Sequence, residues 1–315
     1  MKPKHPPRPA IVVVGSSNTD MVVQTPRLPR PGETLLGGRF TLAPGGKGAN
    51  QAVAAARAGG RVAFVCRLGR DLFGDRALQG FRQDRLEVKW IQRDPRAPSG
   101  VALIAVAPDG ENSIIVAPGA NARLSRQDVA AAAPALQKAR VILAQLEVPL
   151  PAVRAAVREA KKVEALVILN PAPAQPLPDA LLRQVDVLTP NETEAELLTG
   201  LKVDSPAAAA QAAHLLLQRG VNTVLITLGA RGVWLASPAE AAHLPGFKVR
   251  PVDTTAAGDV FNGALAVALA EGQPWRAAVR FAQAAAAISV TRLGAQPSAP
   301  HRHEIEVFLR RHQPA

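Results

Sequence analysis

The stretch V-I-L-A-Q-L-E-V-P-L-P-A-V-R-A-A-V-R-E-A-K-K-V-E-A-L-V-I-L-N, Val141 to Asn170, decides the fold class. Two apolar runs of strand length flank a segment with helical spacing, and a strand, a helix and a strand in so few residues make a βαβ unit with parallel strands. The same alternation runs from Arg61 onward. V-D-V-L-T-P-N (185–191) and T-V-L-I-T-L-G (223–229) are further buried runs, and Ala10 to Val14, closed by Gly15, is an earlier one. Each run ends in polar residues: Asn18 just past the first, then Glu147, Asn170, Asn191, and Thr227 with Gly229. In open parallel sheets ligands bind beyond the carboxyl ends of the strands, so these side chains face one crevice. Any one of them alone reads equally well as a loop residue or a helix cap.

The texture changes twice. Met21 to Ala43 is broken by prolines and glycines into thin strand-like pieces, and Ser99–Val106 with Glu111–Val116 form two runs joined by A-P-D-G, a hairpin signal. Two such insertions in a helix-rich chain predict one small accessory sheet, from about 20–43 and 98–117. After Thr227, L-G-A-R-G-V-W-L-A reads as a glycine turn and a hairpin strand, and A-H-L-P-G-F-K-V (242–249) as a further edge strand. The helix predicted from Trp275 to Val290 carries four consecutive alanines, suited to packing against a flat ligand or against another helix. The fold expected is α/β: a three-layer, Rossmann-like domain over residues 11–315 with a mostly parallel central sheet and a small β lid, preceded by a disordered, proline-broken tail over residues 1–10.

At 315 residues the chain supports a large core, and the single cysteine, Cys66, has no disulfide partner, which points to a reducing, cytoplasmic setting. No apolar run reaches membrane-spanning length. The net charge of +12 is scattered, there is no tyrosine and aromatic residues are scarce, so neither a basic track nor a stacking platform for nucleic acid is built. Six histidines show no zinc spacing; His301-Arg302-His303 reads as an exposed stretch opening the last helix.

Two segments carry chemistry. P-G-G-K-G-A-N-Q-A (44–52) is a glycine turn running into an alanine-rich helix, without the Walker spacing or the G-x-G-x-x-G fingerprint. Gly45, Gly46 and Gly48 allow close backbone approach to a ligand, with Lys47 and Asn50 as donors; a tight helix entry with an exposed lysine is the plainer reading. V-D-T-T-A-A-G-D-V-F-N-G (252–263) places small residues at a helix start, where unpartnered N–H groups can receive a bulky anion. Asp259 falls in the first turn, where the helix dipole favours its ionised form and a carboxylate can orient a hydroxyl and accept its proton. Taken alone, this segment also fits an ordinary capped helix.

Together G-G-K-G-A-N-Q-A and D-T-T-A-A-G-D-V-F-N-G, with G-S-S-N-T-D, Q-L-E, L-N-P-A-P-A, T-P-N-E-T-E-A-E, T-L-G-A-R-G and T-R-L-G-A-Q-P-S, resemble the carbohydrate kinases of the ribokinase family, which includes fructokinase and adenosine kinase. The resemblance covers about Ile11 to Arg310. It implies transfer of the γ-phosphate of ATP to the 5-hydroxyl of D-ribose, with Mg²⁺ and K⁺ as cofactors and a homodimer formed through the lid. It further implies Asp259 as the base and the amides of Ala256, Ala257 and Gly258 as the anion hole. Asn18, Asp20, Gly46, Lys47, Asn50 and Glu147 would hold the sugar; Asn191 and Glu194 the Mg²⁺ and phosphates; Thr227, Gly229, Arg231, Gly232 and Gln283 the nucleotide. Asp253, the Thr255 carbonyl, Ser289, Arg292, Gly294 and Ser298 match a potassium site. Ala256 stands where many members carry Gly, and Pro44 where an aromatic residue often lies under the sugar. Rival readings are a kinase of the same fold for another sugar or a nucleoside, and a non-catalytic sugar-binding regulator. An NAD-binding dehydrogenase is disfavoured by the missing glycine fingerprint.

Overall fold

The computed structural model describes residues 10–109 and 111–312. Apart from Ala10, the expected tail lies outside the described residues, as does Gly110 of the A-P-D-G turn. In chain order the strands are β1 (Ala10–Val14), β2 (Asn18–Gln24), β3 (Arg39–Gly45), β4 (Arg61–Val65), β5 (Arg67–Gly69), β6 (Gln92–Asp94), β7 (Gly100–Val106) and β8 (Asn112–Ala117). They continue with β9 (Val141–Ala144), β10 (Leu166–Leu169), β11 (Val187–Leu188), β12 (Thr223–Thr227), β13 (Val233–Ala236) and β14 (Ala241–Leu244).

Eight strands form the central sheet in the order β14-β13-β12-β11-β10-β9-β1-β4. All pairs from β4 to β12 are parallel, and only the β12–β13–β14 meander is antiparallel. The parallel strands are apolar on both faces because helices cover both. Ile11 and Val13 of β1 point into a core with the helices Lys47–Arg57, Ala257–Ala270 and Trp275–Ser289; Val12 and Val14 point into a second core with Leu150–Lys162 and Pro206–Gln218. This is the three-layer arrangement expected. Ala284 and Ala285 of the four-alanine run lie in the first core against the 257–270 helix, so the run serves helix packing.

The accessory sheet is β3-β2-β7-β8. β2 pairs antiparallel with β3 from Asn18↔Gly45 to Gln24↔Arg39, and parallel with β7. Asn18, expected just past the end of β1, and Asp20, expected where the lid begins, are therefore both in the first rungs of the lid itself. The parallel pair β5–β6, which continues the chain from β4, has no counterpart in the sequence reading. The strand expected over 242–249 is shorter: β14 ends at Leu244, before Pro245 and Gly246, and the chain leaves the sheet there. Among the described residues no helix is long and apolar enough to cross a membrane.

Candidate active site

The helix Lys47–Arg57 begins in the middle of the crevice, and its first N–H groups are already partnered. Lys47 N–H donates to Glu147 Oε2 at 3.0 Å, Gly48 N–H to Ser16 Oγ at 3.3 Å and Ala49 N–H to the Ser16 carbonyl at 2.8 Å. Ser16 Oγ in turn donates to Glu147 Oε2 at 2.5 Å. A Cβ on Gly48 would lie 2.5 Å from Ser16 N, and one on Gly46, whose φ is +88°, 2.6 Å from Asn18 N. The sequence reading assigned these glycines to close approach of a ligand; here they let the helix entry press against the Ser16–Asn18 backbone, which aims Lys47 and Asn50 into the crevice. Gly45 packs against the Asp20 carboxylate, 2.2 Å from where a Cβ would stand.

Asp259 closes the site from the other side. Its Oδ2 accepts from Asn50 Nδ2 at 3.0 Å and its Oδ1 from Gln51 Nε2 at 2.9 Å, in a setting that leaves the residue 6% exposed. Burial pushes its carboxyl above the ordinary range, against the pull of Lys47, Asn50 and Gln51 in the other direction, with Glu147 adding to the rise. The helix dipole, which the sequence leads one to expect would favour the ionised form, is outweighed by exclusion of water from the carboxylate. Asn50 Oδ1 is buried with no hydrogen-bond partner among the described residues.

Asp20 stands at the root of the lid. Burial, then the negative charges of Glu147 and Asp259, push its carboxyl up to about 6. Lys47 is the counter-charge: burial works against its protonated form, but Asp259, Glu147 and Glu194 outweigh that and hold its ammonium above the usual value. Asn18 is fixed by Asn121, which donates to Asn18 Oδ1 at 2.7 Å and to the Ser17 carbonyl at 3.0 Å while accepting from Ser17 N–H at 2.9 Å. A cleft of about 460 Å³ opens beside these groups, lined by Asn18, Val116, Asn121, Leu146, Glu147 and Pro173.

Asn191 and Glu194 cap the Glu192–Thr199 helix reciprocally: Glu194 N–H donates to Asn191 Oδ1 at 2.8 Å and Asn191 N–H to Glu194 Oε2 at 2.9 Å. The N-x-x-E spacing is itself a capping-box signature that the sequence reading passed over. Burial raises the Glu194 carboxyl, with Asn191 and Lys47 opposing. Thr227 ends β12 beside Asn191, and Gly229 and Gly232, both with positive φ, make the turn that follows. Arg231 is turned to Glu192 and the Asp204 carbonyl. Gln283 donates to the Leu244 carbonyl at 2.9 Å, and its Oε1 is buried without a partner.

The loop before Asp259 is anchored to the end of the Trp275–Ser289 helix. Val252 and Asp253 N–H both donate to the Val290 carbonyl, while Asp253 accepts from Thr255 N–H at 2.9 Å and Gly294 N–H at 2.8 Å. Burial alone would raise the Asp253 carboxyl, but these hydrogen bonds hold it below the ordinary range. Ser289 and Ser298 hydroxyls donate to carbonyls of their own turns, at 2.8 and 2.7 Å, and the Arg292 guanidinium pairs with Glu304. Ala256 takes a left-handed conformation, φ +58°, to start the Ala257–Ala270 helix. Of the three amides expected to form an anion hole, Ala257 N–H is engaged with the Thr254 carbonyl at 3.2 Å, whereas Ala256 and Gly258 N–H donate to no acceptor among the described residues.

Ser16, Gln51, Asn121, Thr189 and Asn262 escaped the sequence reading. Gln51 sits inside the quoted G-G-K-G-A-N-Q-A, and Asn262 one turn after Gly258, so their positions relative to the motifs were the available signal.

Residues 8–302 match the family model described as pfkB family carbohydrate kinase. The chain is 46% identical over 302 residues to a ribokinase of Haemophilus influenzae, covering 96% of this chain and 99% of the relative, and 38% identical to a deoxyribokinase of Salmonella typhi, covering 95% and 98%. The structure of an Arabidopsis thaliana ribokinase complexed with ribose and ATP superposes with a TM-score of 0.89 at 35% identity, covering 96% of this chain and 99% of that one.

Proposed function

This chain belongs to the pfkB family of carbohydrate kinases, and within that family we propose that it transfers the γ-phosphate of ATP to the 5-hydroxyl of D-ribose. The observation that carries the reading is the Asp259 carboxylate, buried between Asn50 and Gln51, with Lys47 beside it and Asp20 and Glu147 across the crevice. A pentose presents a ring of hydroxyls, each a donor and an acceptor; Asp20, Glu147 and the unpartnered Asn50 Oδ1 accept, and Lys47 and Asn18 donate. Asp259 Oδ2, the oxygen on the Asn50 side, takes the proton of the attacking hydroxyl. The sugar oxygen then bonds to the γ-phosphorus, and the bond from that phosphorus to the bridging oxygen breaks, with its electron pair leaving on ADP. A base whose affinity is raised by burial suits proton acceptance near neutrality. The rest is positioning and electrostatics.

The N–H groups at the start of the 257–270 helix receive the γ-phosphate; Thr227, Gly229, Arg231, Gly232 and the unpartnered Gln283 Oε1 bound the nucleotide. Asn191 and Glu194 offer hard oxygens to Mg²⁺, which neutralises phosphate charge when bound. Asp253, the Thr255 carbonyl and the oxygens near Ser289, Arg292, Gly294 and Ser298 are an all-oxygen set that fits K⁺, which would stiffen the anion-binding loop. We read residues from 11 onward as one catalytic domain whose lid pairs with that of a second copy. Phe40, Leu103, Ile114, Ile115 and Val116 are exposed on it and support that pairing. The lone buried thiol of Cys66 supports a cytoplasmic setting.

The deoxyribokinase relative makes 2-deoxyribose a second substrate to weigh. An ADP-release assay over ribose, 2-deoxyribose, fructose and adenosine, with and without K⁺, tests the reading. Ribose preferred over fructose and adenosine by about two orders of magnitude in kcat/KM is the expected result, with K⁺ raising the rate. Equal use of fructose or adenosine would leave only the kinase assignment, and indifference to K⁺ would remove the cation site.

A further inference from the structure

The side of Asp259 that faces away from the crevice is tied into a closed ring of buried hydrogen bonds. Gln51 Nε2 donates one hydrogen to Asp259 Oδ1 at 2.9 Å and the other to Asn170 Oδ1 at 3.1 Å, and Gln51 Oε1 accepts from Gln145 Nε2. Asn170 Nδ2 donates to the Thr189 carbonyl at 3.0 Å, the Thr189 hydroxyl meets Asn262 Oδ1 at 2.6 Å, and Asn262 Nδ2 donates to the Gly258 carbonyl at 2.8 Å. Gly258 precedes Asp259, so the ring closes on the first turn of the helix it started from. Gln51 and Gln145 are fully buried, and Asn170, Thr189 and Asn262 are at most 7% exposed.

The ring has a direction, and the carboxylate sets it. An ionised Oδ1 accepts only donors, so Gln51 must present its NH₂ to Asp259 and its carbonyl to Gln145. Asn170 must then accept from Gln51 and donate onward. The Thr189 hydroxyl hydrogen goes to Asn262 Oδ1 rather than to the Leu169 carbonyl 3.5 Å away, because Asn262 has its NH₂ on Gly258. Reversing any one amide sets its carbonyl against the carboxylate or another carbonyl inside a dry core, where such mispairing is costly. Both of the Gln51 amide hydrogens and its carbonyl are used, so this side chain has no alternative arrangement.

We propose that Gln51 is the positioning residue for the reaction: with Asn170, Thr189 and Asn262 it locks Asp259 Oδ1, so that Oδ2 alone is presented to the sugar hydroxyl, and the same ring holds the carbonyl of the peptide that joins Gly258 to Asp259. Apart from Asp259 itself, the groups proposed to hold the sugar lie outside the ring: the Ser16–Asp20 segment, Lys47, Asn50 and Glu147. Loss of the ring therefore lowers turnover and spares sugar binding. This inference rests on Asp259 being the base.

The test compares the parent with Asp259→Asn, Gln51→Glu, Thr189→Val and Thr189→Ser. Each is checked for folding by circular dichroism and thermal melting, and assayed for ADP release across pH and for ribose binding by calorimetry. Gln51→Glu is nearly isosteric but replaces a donor to Asp259 with a carboxyl. The expected result is a fall in kcat of about a hundredfold, the scale set by small misplacement of reacting groups, with ribose affinity within about twofold of the parent. The acid limb of kcat/KM moves to higher pH, since Lys47, Glu147, Asp20 and Glu194, the other charged groups facing Asp259, are unchanged. Should Gln51→Glu fail to fold, the Thr189 pair decides: Val lowers kcat about tenfold and Ser, which restores the hydroxyl, returns it. A dead Asp259→Asn beside a Gln51→Glu, or a Thr189→Val, with parental kcat and pH profile overturns the positioning role alone. A near-normal Asp259→Asn overturns the base and this inference with it.

Discussion

Lowering the pH from about 7 to about 5 should weaken ribose binding through one side chain, Asp20. In the sugar-free protein its carboxyl is pushed up to about 6, first by burial and then by Glu147 and Asp259. In the proposed sugar site ribose hydroxyls donate to the ionised carboxylate, so the sugar would bind the deprotonated form and release a proton wherever Asp20 is protonated. Above pH 6 the full affinity is present; it is lost as pH falls through 6. With a single linked site the apparent Kd rises by one plus the ratio of protonated to ionised Asp20, about tenfold at pH 5 and hardly at all at pH 7. Stability of the sugar-free protein moves the other way. A carboxyl whose folded pKa is raised binds more protons folded than unfolded between its ordinary value of 3.8 and about 6, so its contribution to stability grows as pH falls through that window and shrinks as pH rises. Calorimetric titration with ribose, without nucleotide, reads the first effect, and melting with and without ribose reads both. Asp20→Asn removes the titrating group and should flatten the Kd profile relative to the parent. A parent Kd unchanged between pH 7 and 5, or an Asp20→Asn slope equal to the parental one, would refute the reasoning.

Gly48→Ala should destabilise the fold by about 1–3 kcal/mol, because the new Cβ would stand 2.5 Å from Ser16 N and 2.6 Å from the Gly15 carbonyl carbon, both backbone atoms; denaturant unfolding with a parental midpoint would contradict this. Ala256→Gly should raise stability by about 0.5–1 kcal/mol, the left-handed strain at φ +58° less the greater freedom of unfolded glycine, and a lowered melting temperature would count against it. Ile115→Glu on the lid, where Ile115 is 65% exposed, should leave the fold intact and convert dimer to monomer in sedimentation; an unchanged mass would remove the lid as the interface.

The parallel sheet was legible because its strands are buried on both faces and read as unbroken apolar runs: V-I-L-A and L-V-I-L lie where the alternation put them, and their carboxyl ends carry Gln145 to Glu147 and Asn170 into one crevice. The lid was legible from its prolines, glycines and hairpin turn. β5 and β6 are three residues each and pair across an intervening helix, too short for any periodicity to reveal. The glycines at 46 and 48 were legible as a place where backbone must come close, but not to what; the protein neighbour is the Gly15–Asn18 backbone, distant in sequence. Ser16, Thr189 and Asn262 lie inside the quoted motifs, but nothing in those motifs says that Thr189 meets Asn262 or that Ser16 meets Glu147; only the fold brings them together. The raised affinity of Asp259 for its proton depends on how much water the folded crevice excludes, which no local pattern encodes.

The central claim is that Asp259 accepts the proton of the sugar hydroxyl, and steady-state kcat of Asp259→Asn at saturating ribose and MgATP tests it most directly. The amide keeps the shape of the side chain but cannot take the proton. The expected outcome is a fall of about 10²–10⁴-fold, with ribose binding and melting temperature close to parental; a kcat within a few fold of the parent would mean that Asp259 does not take the proton.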